Sequence, residues 1–202
     1  MTDEIQRIIS GQSEVRYGTN IQAAISYLRT SEKSSALDKT NKHFKREETE
    51  RFRRYIENQN LWIKDIDLNN YVSEGAEQKV YLKDHRSVIK LNDAIYYLSW
   101  VDYFINLLLN NYFFPDTAYK LMGFFDNDSV LYAVVKQRFI YATEKTDLKH
   151  VEQFMKSNGF QKTRNYDYVN SELVLILEDL HDENVLTNDG VLYFIDTVFY
   201  LV

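Results

Sequence analysis

The residues with the most chemical content stand near the C-terminal end, in Leu177-Glu178-Asp179-Leu180-His181-Asp182-Glu183-Asn184-Val185-Leu186 and then Phe194-Ile195-Asp196. Asp179 and Asn184 lie five residues apart, and Asp196 follows Asp179 by 17 residues. A carboxylate, an amide and a second carboxylate in this order suit phosphoryl transfer. The first carboxylate orients an acceptor hydroxyl and takes its proton, while the amide oxygen and the second carboxylate hold magnesium against the phosphates. Magnesium is a hard cation that prefers oxygen ligands, which Asn and Asp supply. Between the two halves stands Asn188-Asp189-Gly190, a strong hairpin signal, and such a hairpin brings Asn184 close to Asp196. The expectation is Asp179 as catalytic base and Asn184 and Asp196 as metal ligands. The competing reading is an acidic surface loop between strands. His181 reads as a structural loop residue, and Asp182 and Glu183 as solvated.

A second group lies upstream. Glu74-Gly75-Ala76-Glu77-Gln78-Lys79-Val80-Tyr81-Leu82 reads as a degenerate phosphate-covering loop between two strands. Its single glycine, Gly75, leaves backbone less free to approach a phosphate than a three-glycine loop does. In Val88-Ile89-Lys90-Leu91, Lys90 resembles the third-strand lysine of kinases that pairs with the α and β phosphates. Such a lysine is normally held by an acid on the next helix. Asp102 lies on the stripe Ile95, Leu98, Asp102, Ile105, Leu109, and an acid in an apolar stripe needs a buried partner. Lys90 is the expected one.

These groups need elements to position them. Residues 1–60 read as helical, with apolar stripes through Ile5, Ile8 and Ile9 and through Ile21, Ala24, Ile25 and Leu28. The mixed-charge run Lys39–Arg54 reads as a solvated helix face with Glu–Arg pairs, whose buried side is Phe44, Phe52, Tyr55 and Ile56. From Trp62 the period changes. Trp62, Ile63, Ile66, Leu68 and Val72 lead into short β-like runs at Val80–Leu82 and Val88–Leu91, joined by a turn-like Lys83–Ser87. Asn92–Tyr112 has no Gly or Pro and predicts a long helix capped by Asn92 or Asp93, ending before the one proline, Pro115. Residues 119–125 and 130–140 predict two strands, and Asp147–Met155 a helix closed by Ser157-Asn158-Gly159. Leu173–Leu177, Val185-Leu186 and Val191–Ile195 read as strands. The order from Trp62 to Ile140, three strands, a helix and two strands, is that of a kinase N-lobe. Backbone groups near Gln137–Phe139 would meet adenine there.

The bulk composition permits a sizeable core and narrows the chemistry. Of 202 residues, 45% are hydrophobic and 27% charged, within the ordinary globular range. Tyr (16) and Phe (12) supply much of the apolar area. With no cysteine, disulfide frameworks, thiolate zinc sites and Cys nucleophiles are excluded, and a reducing cytoplasm is the expected compartment. The N-terminal residues lack a basic and apolar signal pattern, and no apolar stretch is long enough for a bilayer. A net charge of −6 argues against general nucleic-acid binding, which needs surplus Lys and Arg.

The stretch from Leu177 to Asp196 resembles that of aminoglycoside phosphotransferase-like kinases, whose pattern is His-Gly-Asp-Leu-His-x-x-Asn-hydrophobic-Leu and then Ile-Asp. With Leu61-Trp62-Ile63, the Glu74–Leu82 loop, Val88–Ala94, Phe113–Tyr119 and Leu177–Phe199 in this order, the chain resembles the polyvalent protein kinase family of bacterial mobile elements and phages, especially in Bacteroides-like bacteria. The resemblance covers roughly Phe44–Leu201. It implies an α+β, protein kinase-like fold with a five-stranded antiparallel N-lobe with one long helix over 61–140 and a minimal C-lobe over 141–202 with a catalytic hairpin, preceded by the helical extension read above over 1–60. It implies ATP and Mg as cofactors and a protein or small-molecule acceptor, with no membrane partner. The chain departs from typical kinases in its poor glycine loop, in lacking the helix glutamate, and in having six residues after Asp196. Either the C-lobe is minimal, with residues 1–60 packing helices on it, or the chain is part of a larger protein. Two readings stand nearly level, an ATP- and Mg-dependent phosphotransferase and a pseudokinase that binds a nucleotide or partner. A weaker third is a DNA- or partner-binding accessory protein of a mobile element acting through the Lys39–Arg54 helix.

Overall fold

The computed structural model describes residues 3–32, 41–67, 69–75 and 78–202; Leu68, Lys39 and Thr40 of the charged run, and Ala76 and Glu77 of the loop lie outside them. Three helices come first, α1 (Asp3–Ile9), α2 (Gly18–Glu32) and α3 (Asn41–Asn58). Their apolar stripes are buried: Ile5, Ile8, Ile21, Ile25, Leu28, Phe52 and Ile56 are almost fully shielded.

Strands β1 (Tyr71–Glu74), β2 (Gln78–Asp84), β3 (Ser87–Asn92), β4 (Lys120–Asn127) and β5 (Val130–Arg138) form one antiparallel sheet in the order β1-β2-β3-β5-β4. Helix α4 (Trp100–Phe113) connects β3 to β4. The β2–β3 turn is closed by Asp84, whose carboxylate accepts from Arg86 N and the Ser87 hydroxyl, both at 2.8 Å. Alternation divides the sheet. Gln78, Val80, Val88 and Lys90 point to one face, while Tyr81, Leu91 and Val134 form a small core on the other, covered by Ile63 and Ile66. The covering segment is pinned by paired bonds, Ile63 N to Phe124 O (2.8 Å) and Phe124 N to Leu61 O (2.9 Å). Gly123 permits this approach. Its φ is +153°, and a Cβ there would run into the Leu61 carbonyl.

The second half holds α5 (Leu148–Ser157), β6 (Gln161–Lys162), β7 (Tyr168–Asn170), β8 (Leu175–Glu178), β9 (Val185–Asn188), β10 (Val191–Phe194) and β11 (Val198–Leu201). Strands β9 and β10 form a hairpin whose turn residues Asp189 and Gly190 have φ of 48° and 75°, the left-handed pair that a tight two-residue turn requires. Strands β11, β8, β7 and β6 form a separate four-stranded sheet. The mixture of helices and antiparallel sheets is an α+β fold. Among the described residues no helix is long and apolar enough to cross a membrane.

Helix α4 is the axis of the molecule. Eleven of its 14 residues are buried, and one core runs from Ile5 through Phe104 and Leu108 to Phe199, across all three predicted segments. Its buried asparagines bind backbone and side-chain groups of other parts of the chain. Asn106 Oδ1 accepts from Phe199 N (2.8 Å), Asn110 Oδ1 from the Thr197 hydroxyl (2.8 Å), and Asn111 bonds both Tyr119 N and Tyr119 O. Burial of polar groups is tolerated where such bonds replace water.

The predicted helix start at Asn92 is corrected. Asn92 ends β3, and its side chain closes a turn by accepting from Ala94 N at 2.7 Å; Asp93 does the same for Ile95 N at 3.0 Å. The cap of α4 is Ser99, whose hydroxyl accepts from Asp102 N at 3.0 Å. The physical reason lies in α3. Buried Glu48 accepts from Trp100 N at 2.8 Å, placing a carboxylate at the helix N-terminus where it is favoured. Lys45 Nζ donates to the carbonyls of Ala94 and Tyr97, and Arg53 pairs with Asp126 at 2.5 Å. The charged run is therefore in part a set of inward ties, where a solvated face was expected.

Candidate active site

Between the five-stranded sheet and the β9–β10 hairpin lies a cleft of about 810 Å³. The hairpin is fastened to the segment that leaves β5. Thr143 N donates to Thr187 O (3.0 Å), the Thr146 hydroxyl to Val185 O (2.7 Å), and Asn188 Nδ2 to Tyr141 O (2.7 Å). The cleft's apolar walls are Val80 and Val88 from the sheet, Ile140 from the connection, and Leu186 and Val198 from the second half. Lys90, Asp179, Asn184 and Asp196 line the same cleft, as do Gly75 and Gln78.

The segment from Asp179 to Asn184 is shaped by its own backbone. Leu180 is fully buried and anchors it. Asp179 adopts a left-handed φ of 65°, which Asp tolerates better than most residues. Its N–H donates to Asp167 Oδ1 at 3.3 Å, and its carboxylate side is exposed to the cleft. Asn184 Nδ2 donates to Asp179 O at 2.9 Å. A carbonyl can only accept, so the amide nitrogen faces Asp179 and Oδ1 is the atom left to bind elsewhere. Asn184 O in turn accepts from Ile195 N (2.9 Å) and Asp196 N (3.4 Å), so the hairpin sets Asn184 beside Asp196. His181 Nε2 lies 3.1 Å from Asn184 Nδ2, and Asp182 pairs with Lys145 at 3.4 Å.

Lys90 is buried, with Nζ donating to Ile195 O at 2.8 Å and lying 5.3 Å from the centre of the Tyr119 ring. Burial pushes its pKa below the usual lysine range, and the nearby Asp196 charge opposes the shift. Asp102 does not meet it. The Asp102 carboxylate is exposed and accepts from the Ser99 hydroxyl at 2.8 Å, within its own first helical turn. The apolar stripe that predicted the pairing does not exist, because Ile95 and Leu98 precede α4 and are each 67% exposed. Gly75 is exposed, with open space around its Cα, and its N–H donates to Gln78 O at 3.0 Å. Within Gln137–Phe139, the Phe139 backbone N–H is already given to Arg86 O (2.9 Å), and the Gln137 side chain is turned to Thr117 O, its Nε2 donating at 2.7 Å.

Two site residues escaped the sequence reading. Gln78 Nε2 donates to Asp196 Oδ2, and strand alternation from Val80 could have found it on the inward face. Tyr119 donates its hydroxyl to the Ile195 carbonyl (2.9 Å) that Lys90 also binds; no spacing signal points to it.

Among the described residues no three His, Asp or Glu side chains gather as a metal cage. Asn184 Oδ1 and Asp196 are nonetheless hard oxygen donors on one cleft. That donor set fits magnesium, which typically takes one or two protein oxygens and completes its shell with substrate phosphates and water.

Residues 45–202 match the model of a family described as serine/threonine/tyrosine kinase found in polyvalent proteins. No curated protein and no solved structure matches the chain.

Proposed function

Because the chain belongs to this family of kinases found in polyvalent proteins, we propose that it transfers the γ-phosphoryl group of ATP to a hydroxyl acceptor with magnesium. The observation that carries this reading is that Lys90, Asp179, Asn184 and Asp196 line one cleft together with the apolar side chains of Val80, Val88, Ile140, Leu186 and Val198. Val80, Val88 and Leu186 suit the two faces of adenine, and the Ile140 N–H is the first backbone donor past Phe139 without a partner among the described residues. Lys90 brings a cation to the α and β phosphates. Asp179 orients the acceptor hydroxyl and takes its proton as the new oxygen–phosphorus bond forms and the bond to ADP breaks. Asn184 and Asp196 would hold magnesium, which supplies charge neutralisation at the phosphates. The five-stranded sheet with α4 acts as the N-lobe and the hairpin region as a small C-lobe. A bacterial cytoplasm, in the setting of mobile elements, provides the nucleotide.

The test is Asp179→Asn, assayed for Mg-ATP binding by thermal shift and for 32P transfer to the protein itself and to a mixed protein substrate such as casein. The binding shift should persist while transfer falls by about 10²–10⁴-fold, the usual range for a lost general base. Undiminished transfer in the variant sinks the role of Asp179. A second reading, a nucleotide- or partner-binding pseudokinase, is favoured by one observation: Lys90 takes its partner from the Ile195 carbonyl and not from an acid on α4. Wild-type binding without transfer would establish it.

Gln78 competes with a cation for Asp196 Oδ2. Gln78→Ala should tighten Mg-ATP binding by up to about tenfold, since a hydrogen bond to a charged group contributes roughly 1.5 kcal/mol. Weaker binding in a calorimetric titration would instead make Gln78 part of the bound site.

A further inference from the structure

At the end of β5 lies a second groove, of about 550 Å³, which shares Gln137 and Arg138 with the catalytic cleft and is otherwise lined by different residues. Five cationic side chains line it: Arg16 from the α1–α2 connection, Arg86 from the β2–β3 turn, Lys120 from β4, and Lys136 and Arg138 from β5. They converge from four parts of the chain on one surface of a protein whose net charge is −6.

Three observations separate this groove from an ordinary solvated surface. None of the five forms an ion pair with a carboxylate among the described residues. Lys120 and Lys136 are direct cross-strand partners in the β4–β5 ladder, an arrangement of like charges that costs stability. Arg138, two residues along β5, projects from the same face as Lys136. The cations are also held in place. Arg16 donates to Pro115 O at 3.0 Å and lies 5.3 Å from the centre of the Tyr17 ring, while Lys120 Nζ lies 5.9 Å from the same ring. Unpaired, partly fixed like charges in a concavity form a focused positive potential that an anionic partner would relieve.

We propose that this groove docks an acidic peptide segment of a partner protein. Carboxylates fit guanidinium groups; Arg86 gives its Nε–H to His85 Nε2 (2.9 Å) and Arg138 lies 5.6 Å from the centre of the Tyr193 ring, contacts that leave terminal N–H groups of both to bind an acid. Nucleic acid fits less well for two reasons. Asp84 and Asp116 line the same groove; a peptide can place its acids between them, but an evenly charged phosphate backbone cannot avoid them. Tyr17, the aromatic side chain of the groove, already lies against two cations, Arg16 and Lys120, with which a stacking base would compete. Gln137 and Arg138 belong to the walls of both the groove and the catalytic cleft, so a docked segment reaches the site along β5. The docking itself does not depend on phosphoryl transfer.

Fluorescence anisotropy without nucleotide tests it, using a labelled Glu-Ser repeat peptide and an oligodeoxythymidine of equal net charge. The wild type should bind the peptide in preference to the oligonucleotide, with an affinity that falls as salt rises. The double variant Arg86→Glu/Lys120→Glu should lose at least about tenfold in peptide affinity. Lys149→Glu/Lys156→Glu, the same charge change on exposed positions of α5, should keep it. Thermal midpoints of both variants, and the neutral pair Arg86→Gln/Lys120→Gln, guard against a folding artefact; the neutral pair should show an intermediate loss. Equal losses in the groove and α5 variants, or no peptide binding by the folded wild type, overturn the proposal. Tighter binding of the oligonucleotide overturns it in favour of a nucleic-acid site.

Discussion

Asp196→Ala should abolish the thermal stabilisation that Mg-ATP gives the wild type. A ligand at about 100 times its Kd stabilises the native state by ~2.7 kcal/mol, which in a chain of this size corresponds to a midpoint rise of roughly 5–10 °C. Asp196 is the carboxylate that the hairpin sets beside Asn184 and whose charge acts on Lys90. Its loss would take away the proposed magnesium ligand and the negative charge that opposes the burial-driven lowering of the Lys90 pKa. The difference with and without ligand is the readout, because the variant also loses the Gln78 bond and its unliganded midpoint will move for that reason. ATP with EDTA should give the wild type a much smaller rise than Mg-ATP. An undiminished magnesium-dependent rise in the variant would remove Asp196 from the site.

Lys90→Met should act in two opposite directions. Without ligand the variant should be more stable near neutral pH, by about 1 kcal/mol or ~2–4 °C, because burying an ammonium costs more than burying a thioether of similar length. The Ile195 carbonyl keeps a donor in Tyr119, so the substitution orphans no acceptor. Burial holds the folded-state pKa of Lys90 below its unfolded value. The unfolded chain therefore takes up the proton first as pH falls through the ordinary lysine range near ~10.4. In the window from there down to the folded value, wild-type stability rises with pH. The advantage of Met should accordingly shrink as pH climbs toward and past that range. With Mg-ATP the variant should lose most of its stabilisation. Urea unfolding at several pH values checks the first effect; a variant less stable than the wild type at neutral pH would mean that the Lys90 bond to Ile195 outweighs its desolvation.

These two residues also mark what was legible before the structure. The β9–β10 hairpin was readable because Asn188-Asp189-Gly190 has a local backbone requirement, and local requirements are written in adjacent residues. The stripes of α1 and α2 were readable for the same reason. The start of α4 was not. Nothing between Asn92 and Ser99 breaks a helical pattern by type, and the true boundary is set by Ser99 with Glu48, which is 52 residues from the Trp100 amide it binds. The error carried over to Asp102, whose supposed apolar neighbours lie outside the helix. Gln78 and Tyr119 became visible when their contacts across 118 and 76 residues were seen. Strands β6 and β7 have two and three residues, too few for any period to register.

The asparagines of α4 bear on how the chain folds in time. Asn106 and Asn110 bond residues 93 and 87 positions further along. Until β11 arrives, those amides have no such partners and the helix surface that carries them must remain hydrated. The side of the central helix that meets β11 can therefore settle only after the closure of a very long loop. Rates fall as contacts become more distant in sequence, so refolding should be slow and dominated by a single late docking event. Chains still emerging from a ribosome would leave exposed the side of α4 that β11 later covers, the kind of surface that chaperones bind.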